Sequence, residues 1–381
     1  MNKKHNIAMV GTLVNALLDF RADLIIDMVA KGHTVYAFAC DFDTHSEQRV
    51  RSWGAIPVPY KISRSSLNPL SDLVVTYRLF RLFRQLKIDV SFCYFVKPVI
   101  YGNLAAVLAG VTQRAVKIEG LGWVFTDPPT GVTLKLKILR LIQLSLYRIT
   151  LPLAHTVFLL NPDDRRDLVD KYGIKIKNLV QLDGIGVNLT HFSCCSYPQT
   201  LRFVFVGRLL KEKGIGYFLC AATALKQKYP DVEFIVLGAP DSAPGSISKE
   251  QLTSMVECGT LLYPGRVSNV ADWLQNCSVF VLPSYYREGV PRSTMEAMAM
   301  GRPVITTNVA GCKETVIHGQ NGFLVEPHDV ESLISAMETF VLQPELVQRM
   351  GLKSRQLAQT RFDVIKVNQI ILTALCLDKD T

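Results

Sequence analysis

The stretch Ser284-Tyr285-Tyr286-Arg287-Glu288-Gly289-Val290-Pro291-Arg292-Ser293-Thr294-Met295-Glu296-Ala297-Met298-Ala299-Met300-Gly301-Arg302-Pro303 decides the fold. An apolar run, residues 279–282, leads into it and reads as a strand. A turn holding Gly289 follows, and Pro291 suits the first turn of a helix, where a missing N–H costs nothing. The spacing predicts a helix over 293–300, stopped by Gly301 and Pro303, then a second apolar strand over 304–306. Strand, loop, helix, strand is the repeating unit of a parallel α/β sheet. Such sheets place ligands at the carboxyl ends of their strands. Glu288 lies on the loop and Glu296 about two turns into the helix. The helix start between them offers free N–H groups and the positive end of a dipole, which suits a phosphate. The simpler reading makes Glu288 a cap and Glu296 a solvated side chain.

The rest of the chain continues the rhythm. Residues 7–10, 35–39 and 56–59 read as strands, with helices over 13–31 and 47–53 between them. A strand over 202–206 restarts the pattern after an irregular stretch, which divides the chain into a domain over 1–190 and another over 198–363. A last helix is expected from about residue 364.

Composition narrows the class. Of 381 residues, 49% are hydrophobic, mean hydropathy is +0.20 and net charge is +9. No uncharged apolar run is long enough to span a bilayer, and the N-terminus carries no apolar core of a secretory signal. Nine cysteines form no Cys-x-x-Cys pair and seven histidines show no metal spacing, which fits reduced thiols and no structural metal. Asp41-Phe42-Asp43 has the form of a metal-holding pair but follows only the second strand, so it reads as a solvated loop. Gly11 and Gly184-Ile185-Gly186 do not complete a dinucleotide fingerprint.

The cations are placed unevenly. Arg78, Arg81 and Arg84 wind round a helix whose Leu79, Leu82, Phe83 and Leu86 share one face, after a basic loop holding Arg64. Residues 133–153 read as a helix with Lys135, Lys137, Arg140 and Arg148 set among Leu and Ile, and no Asp or Glu occurs between Pro128 and Pro162. Spanning a membrane would bury those charges, at about 2.5–3.5 kcal/mol each. A helix lying in the headgroup plane avoids that cost, so docking on an anionic membrane surface is favoured over a place in the core. Nucleic acid is disfavoured, because the cations alternate with Leu and Ile rather than with exposed aromatics.

Glu288-x7-Glu296, with the Pro-Ser before it and Gly-Arg-Pro-Val-Ile after it, resembles the signature of retaining glycosyltransferases of family 4. The resemblance runs on through Asn308-Val309-Ala310-Gly311-Cys312-Lys313-Glu314 and His318-Gly319-Gln320-Asn321-Gly322-Phe323. It implies the GT-B fold: two Rossmann-like, doubly wound domains facing a cleft, with the last helix packing back on the first domain. It implies that Glu296 holds ribose hydroxyls, that Glu288 contacts the donor sugar, and that Arg208 and Lys213 neutralise the leaving diphosphate. Gly11, Arg266, Val267, Gly289, Val290 and Pro291 complete the implied donor site. Many members carry His-Gly where this chain has Glu119-Gly120, so Glu119 is either a structural acid or the acid that assists the acceptor.

The loop around residues 63–69, the Glu119-Gly120-Leu121-Gly122 loop and Pro283-Ser284-Tyr285 look like bacterial enzymes that extend sugars on undecaprenyl diphosphate. The expectation is metal-independent transfer of a hexose or N-acetylhexosamine from a UDP-sugar, with no other cofactor, to a lipid-linked saccharide for a surface polysaccharide such as O-antigen. Its place would be peripheral, on the cytoplasmic face of the inner membrane. The rival readings are a nucleotide-sugar 2-epimerase of the same fold and a non-catalytic membrane-bound nucleotide-sugar binder.

Overall fold

The computed structural model describes residues 4–62, 69–240 and 247–378. Arg64 lies outside them. The chain folds into two compact units. The first comprises the described residues of 1–120, 133–185 and 365–381, and the second those of 121–132 and 186–364.

The first unit is built on seven parallel strands: β1 (Asn6–Val10), β2 (Thr34–Ala39), β3 (Ile56–Pro59), β4 (Val90–Tyr94), β5 (Gln113–Ile118), β6 (Thr156–Leu159) and β7 (Leu179–Gln181). Their order is β3-β2-β1-β4-β5-β6-β7. The chain leaves β1 towards β2 and leaves β4 towards β5, so the winding reverses between β1 and β4. Central strands such as Val90–Tyr94 are buried on both faces, which is why they read as unbroken apolar runs. The helix Val364–Ala374 belongs almost wholly to this unit: Asn368 Nδ2 donates to Asp27 Oδ2 at 2.8 Å.

One expectation for this unit is corrected. The helix over 13–31 is two helices, Val14–Phe20 and Ala22–Ala30, broken at Arg21 (φ −128°, ψ −5°). The break turns the Arg21 side chain inward, where it meets Glu119. The Asp-x-Asp pair lies in a loop with both aspartates exposed, as expected, and each holds a helix start. Asp43 caps the helix Thr44–Ser52 through Ser46 N, 2.7 Å, and Asp41 Oδ1 accepts from Val14 N at 2.6 Å.

The second unit carries six parallel strands: β8 (Arg202–Val206), β9 (Glu233–Leu237), β10 (Leu262–Gly265), β11 (Val279–Leu282), β12 (Val304–Thr307) and β13 (Gly322–Val325). Their order is β10-β9-β8-β11-β12-β13, so the reversal falls between β8 and β11. Phe203, Phe205, Phe218 and Phe234 fill the space between this sheet and the helix Ile215–Lys228, with Phe203 and Phe234 stacked at 5.7 Å. Residues 121–132 join this unit, where Gly122 N donates to Arg287 O at 3.1 Å and Arg287 N to Thr126 Oγ1 at 3.0 Å.

Candidate active site

In the second unit the carboxyl ends of β8 and β11 are neighbours, and the expected donor residues follow them. Arg208 stands two residues beyond β8 and is half-buried. Leu210 N donates to Arg208 O at 2.8 Å and Lys213 N to Leu210 O at 3.0 Å, so the two cations flank one tight turn. The turn is pinned to the β11 loop through a single carbonyl. Glu212 O accepts from Tyr285 N at 2.9 Å, Tyr286 N at 3.1 Å and Ser284 Oγ at 3.2 Å. That clamp brings Lys213 Nζ into a hydrogen bond with Glu288 Oε1, while Nζ lies 5.5 Å from the centre of the Tyr286 ring. Ser284 Oγ also reaches Glu288 Oε1, at 3.3 Å. Both charged side chains are largely buried, so this pair is screened far less than a surface ion pair.

Gly289, Val290 and Pro291 are buried and deliver the chain to the helix Arg292–Ala299. Pro291 takes the cap position, with extended ψ of 122°, one residue earlier than its expected place in the first turn. No side chain caps this helix start. Glu296 Oε1 accepts from Arg292 Nε at 2.8 Å, one turn back. Arg266 and Val267 follow β10, at the same edge of the sheet, with Arg266 exposed and Val267 half-buried. Gly311 closes the base of the site. Its φ is +80°, and a Cβ there would collide with Gly289 O and stand 2.6 Å from Glu288 O. Cys312 is buried beside it; burial first, and then the Glu288 carboxylate, push its thiol up to about 12. It is therefore no nucleophile at neutral pH.

The first unit holds the other candidates. Gly11 follows β1 beneath the Tyr94 ring, where a Cβ would collide with the phenol, and Gly11 O accepts from the Tyr60 hydroxyl. Glu119 follows β5 and is paired with Arg21 and Lys117. Arg78 and Arg81 are exposed on the helix Pro69–Gln85, whose Leu79 and Phe83 are buried as their spacing implies. The same helix also exposes Leu70, Leu73, Val74 and Tyr77. Lys61 and Arg78 stand, with Ile62, Val74 and Val75, around a cavity of about 560 Å³.

The helix Leu134–Thr150 buries Leu136, Leu144 and Tyr147. It exposes Leu134 (74%), Leu141 (61%) and Ile149 (63%) alongside Lys135 and Lys137, with Arg140 half-buried. One face belongs to the core and the other is apolar, basic and exposed. Among the described residues no helix is long and apolar enough to cross a membrane, and no group of three or more His, Cys, Asp or Glu could hold a metal.

Sequence reasoning missed Ser284, Glu212, Arg292, Arg21 and Lys117. Ser284 and Arg292 lie within the 284–303 stretch itself, where Glu288 and Glu296 outweigh them as signals. Glu212 acts through its backbone, which no side-chain pattern reports.

The chain is similar to known glycosyltransferases. The family model for glycosyl transferases group 1 matches residues 200–342, which lie within the second unit. The chain is 29% identical, over 75% of its length and 76% of the relative's, to the Campylobacter jejuni N,N'-diacetylbacillosaminyl-diphospho-undecaprenol alpha-1,3-N-acetylgalactosaminyltransferase. It is 24% identical, over 79% of its length and 78% of the relative's, to the Escherichia coli UDP-Gal:alpha-D-GlcNAc-diphosphoundecaprenol alpha-1,3-galactosyltransferase. Among solved structures, a glycosyltransferase from Rickettsia africae superposes with a TM-score of 0.76 at 17% identity, covering 100% of both chains. Anabaena Alr3699/HepE in complex with UDP superposes with a TM-score of 0.75 at 16% identity, over 98% of this chain and 100% of that one. The two parallel sheets are those of the GT-B fold.

Proposed function

We propose that this chain, a glycosyltransferase of the GT-B fold, moves a hexose or N-acetylhexosamine from a UDP-sugar to a saccharide carried on a polyprenyl diphosphate, with retention at the anomeric carbon. The observation that carries the reading is the Lys213–Glu288 pair at the reversal point of the second sheet. The names of the two relatives support the acceptor class and an alpha product.

The chemistry follows from charge. As the bond between the anomeric carbon and the diphosphate oxygen breaks, negative charge builds on the leaving diphosphate. Arg208 grips it as a planar fork, Lys213 as a point charge, and the uncapped start of the helix Arg292–Ala299 adds its N–H groups and dipole. Groups already oriented in this way stabilise the transition state without reorganising. Glu288 holds Lys213 in place and contacts the donor sugar, and Glu296 takes the ribose hydroxyls. We read the transfer as metal-independent, with these groups carrying the charge, and as front-face attack. The acceptor hydroxyl forms its bond to the anomeric carbon on the side the diphosphate leaves, and its proton passes to the diphosphate.

The acceptor is a lipid, and the first unit is suited to meet it. The exposed Leu and Ile of the helix Leu134–Thr150, with Lys135, Lys137 and Arg140, fit an anionic membrane surface, as do Arg78 and Arg81 beside Leu73 and Tyr77. We place the enzyme peripherally on the cytoplasmic face of the bacterial inner membrane, and read Lys61 and Arg78 at their cavity as a place for the acceptor's phosphates. The test is transfer of labelled sugar from UDP-donors to butanol-extractable lipid. Transfer from at least one common donor is expected; none from any would overturn the reading.

A further inference from the structure

The first unit buries two cations on one carboxylate. Arg21 and Lys117 both meet Glu119 Oε1, Lys117 Nζ at 3.0 Å. The two basic side chains are each 1% exposed and Glu119 is 12% exposed, so the carboxylate is the outermost of the three. Aromatic faces hold the cations from the sides: the Arg21 guanidinium lies 4.6 Å from the Tyr94 ring centre, and Lys117 Nζ 5.6 Å from that of Phe92. Arg21 also donates to Phe20 O at 2.6 Å, at the helix break that turns it inward. The Tyr94 hydroxyl is fully buried and has no hydrogen-bond partner among the described residues.

The placement is that of a site. Gly11, Tyr94 and Glu119 stand at the carboxyl ends of β1, β4 and β5, and the winding reverses between β1 and β4. That is where a doubly wound sheet takes its ligand. The arrangement is also expensive. Burial and the charge of Arg21 push Lys117 well below the usual lysine range. Apolar residues of similar volume would often serve stability as well or better.

The outermost group decides the ligand. A carboxylate only accepts hydrogen bonds and repels phosphate, so it suits a neutral ligand rich in O–H and N–H donors. We propose that Glu119 grips the acceptor sugar, accepting from a ring hydroxyl or an acetamido N–H, and that Arg21 and Lys117 are positioning residues that fix its carboxylate through Oε1 and leave Oε2 to the sugar. This rests on the transfer reaction proposed above and assigns recognition of the acceptor saccharide to the first unit.

Three variants test it: Glu119→Gln, Lys117→Met and Lys117→Arg. Lys117→Met leaves a balanced Arg21–Glu119 pair, so it folds even if the buried charges make Glu119→Gln unstable. Each is assayed for thermal unfolding, for UDP binding by calorimetry, and for kinetics against synthetic prenyl diphosphates bearing one N-acetylhexosamine. UDP affinity is expected to stay within about twofold, while acceptor KM rises about 10- to 100-fold in Glu119→Gln, the range of a hydrogen bond to a charged group. Lys117→Met should raise it less, and Lys117→Arg should restore it in part. A folded Glu119→Gln, or failing that a folded Lys117→Met, with unchanged acceptor KM overturns the proposal. If wild type binds UDP but transfers nothing, the transfer reading fails. Saturation-transfer NMR with free N-acetylhexosaminides then decides this one: a sugar signal that vanishes in the variants supports it, and a signal as strong as that of wild type overturns it.

Discussion

Lys213 Nζ donates to Glu288 Oε1 across the carboxyl ends of two neighbouring strands, β8 and β11. The backbone carbonyl of the adjacent Glu212 forces this meeting, by holding the β11 loop to the cationic turn. Lys213→Ala removes the cation aimed at the leaving diphosphate. We expect kcat to fall about 10²- to 10³-fold, the usual cost of one charge-stabilising group. The melting temperature should drop as well, because Glu288 is left largely buried without its partner. Rates at saturating UDP-sugar, measured beside thermal unfolding, check both, and a rate within threefold of wild type removes Lys213 from the site.

Gly311 packs directly against the Glu288 loop of that site. Its left-handed backbone and the closeness of the Glu288 and Gly289 carbonyls leave no room for a methyl group. Gly311→Ala is expected to destabilise by at least about 1–2 kcal/mol from backbone conformation alone, and to weaken UDP binding by moving the Glu288 loop. Denaturant unfolding and calorimetry report the two effects. Unchanged values for both would show that the loop tolerates the shift.

The exposed face of the helix Leu134–Thr150 gives a membrane prediction. Replacing Lys135, Lys137 and Arg140 with Gln removes three cations, each worth about 1 kcal/mol near an anionic surface, so partitioning to anionic vesicles should fall about 100-fold. Wild-type binding should weaken with salt as well. Sedimentation with vesicles at two ionic strengths measures this, and equal binding by the triple variant contradicts it.

Lys117 sets a pH signature on stability. Burial first, then Arg21, hold its pKa well below that of the unfolded chain, about 10.4, with Glu119 and the Phe92 ring as its other neighbours. Between those two values the unfolded state binds more protons than the folded one, so this residue makes stability rise with pH. Wild type should gain on Lys117→Met as pH climbs from 7 towards 10. Melting curves across that range give the sign, and a flat or falling difference refutes the assignment.

Sequence alone determined the parallel α/β class, the loop carrying Glu288, the helix carrying Glu296 and the turn of Arg208 and Lys213. Each is local: apolar runs, a proline, a glycine and a fixed spacing act within a few residues of one another. The resemblance to a glycosyltransferase family rested on those same short-range features. Tertiary structure decided what each charge meets. A periodic run over 13–31 gives no sign that Arg21 will break the helix, because the reason lies just beyond β5, in a carboxylate about a hundred positions away. The same holds for Lys213 and Glu288, and for the outward face of the helix Leu134–Thr150, whose apolar residues look alike until the core has taken its share. Local propensity is written in neighbours along the chain, whereas ion pairing and burial depend on neighbours in space, and only the folded sheet order makes those neighbours.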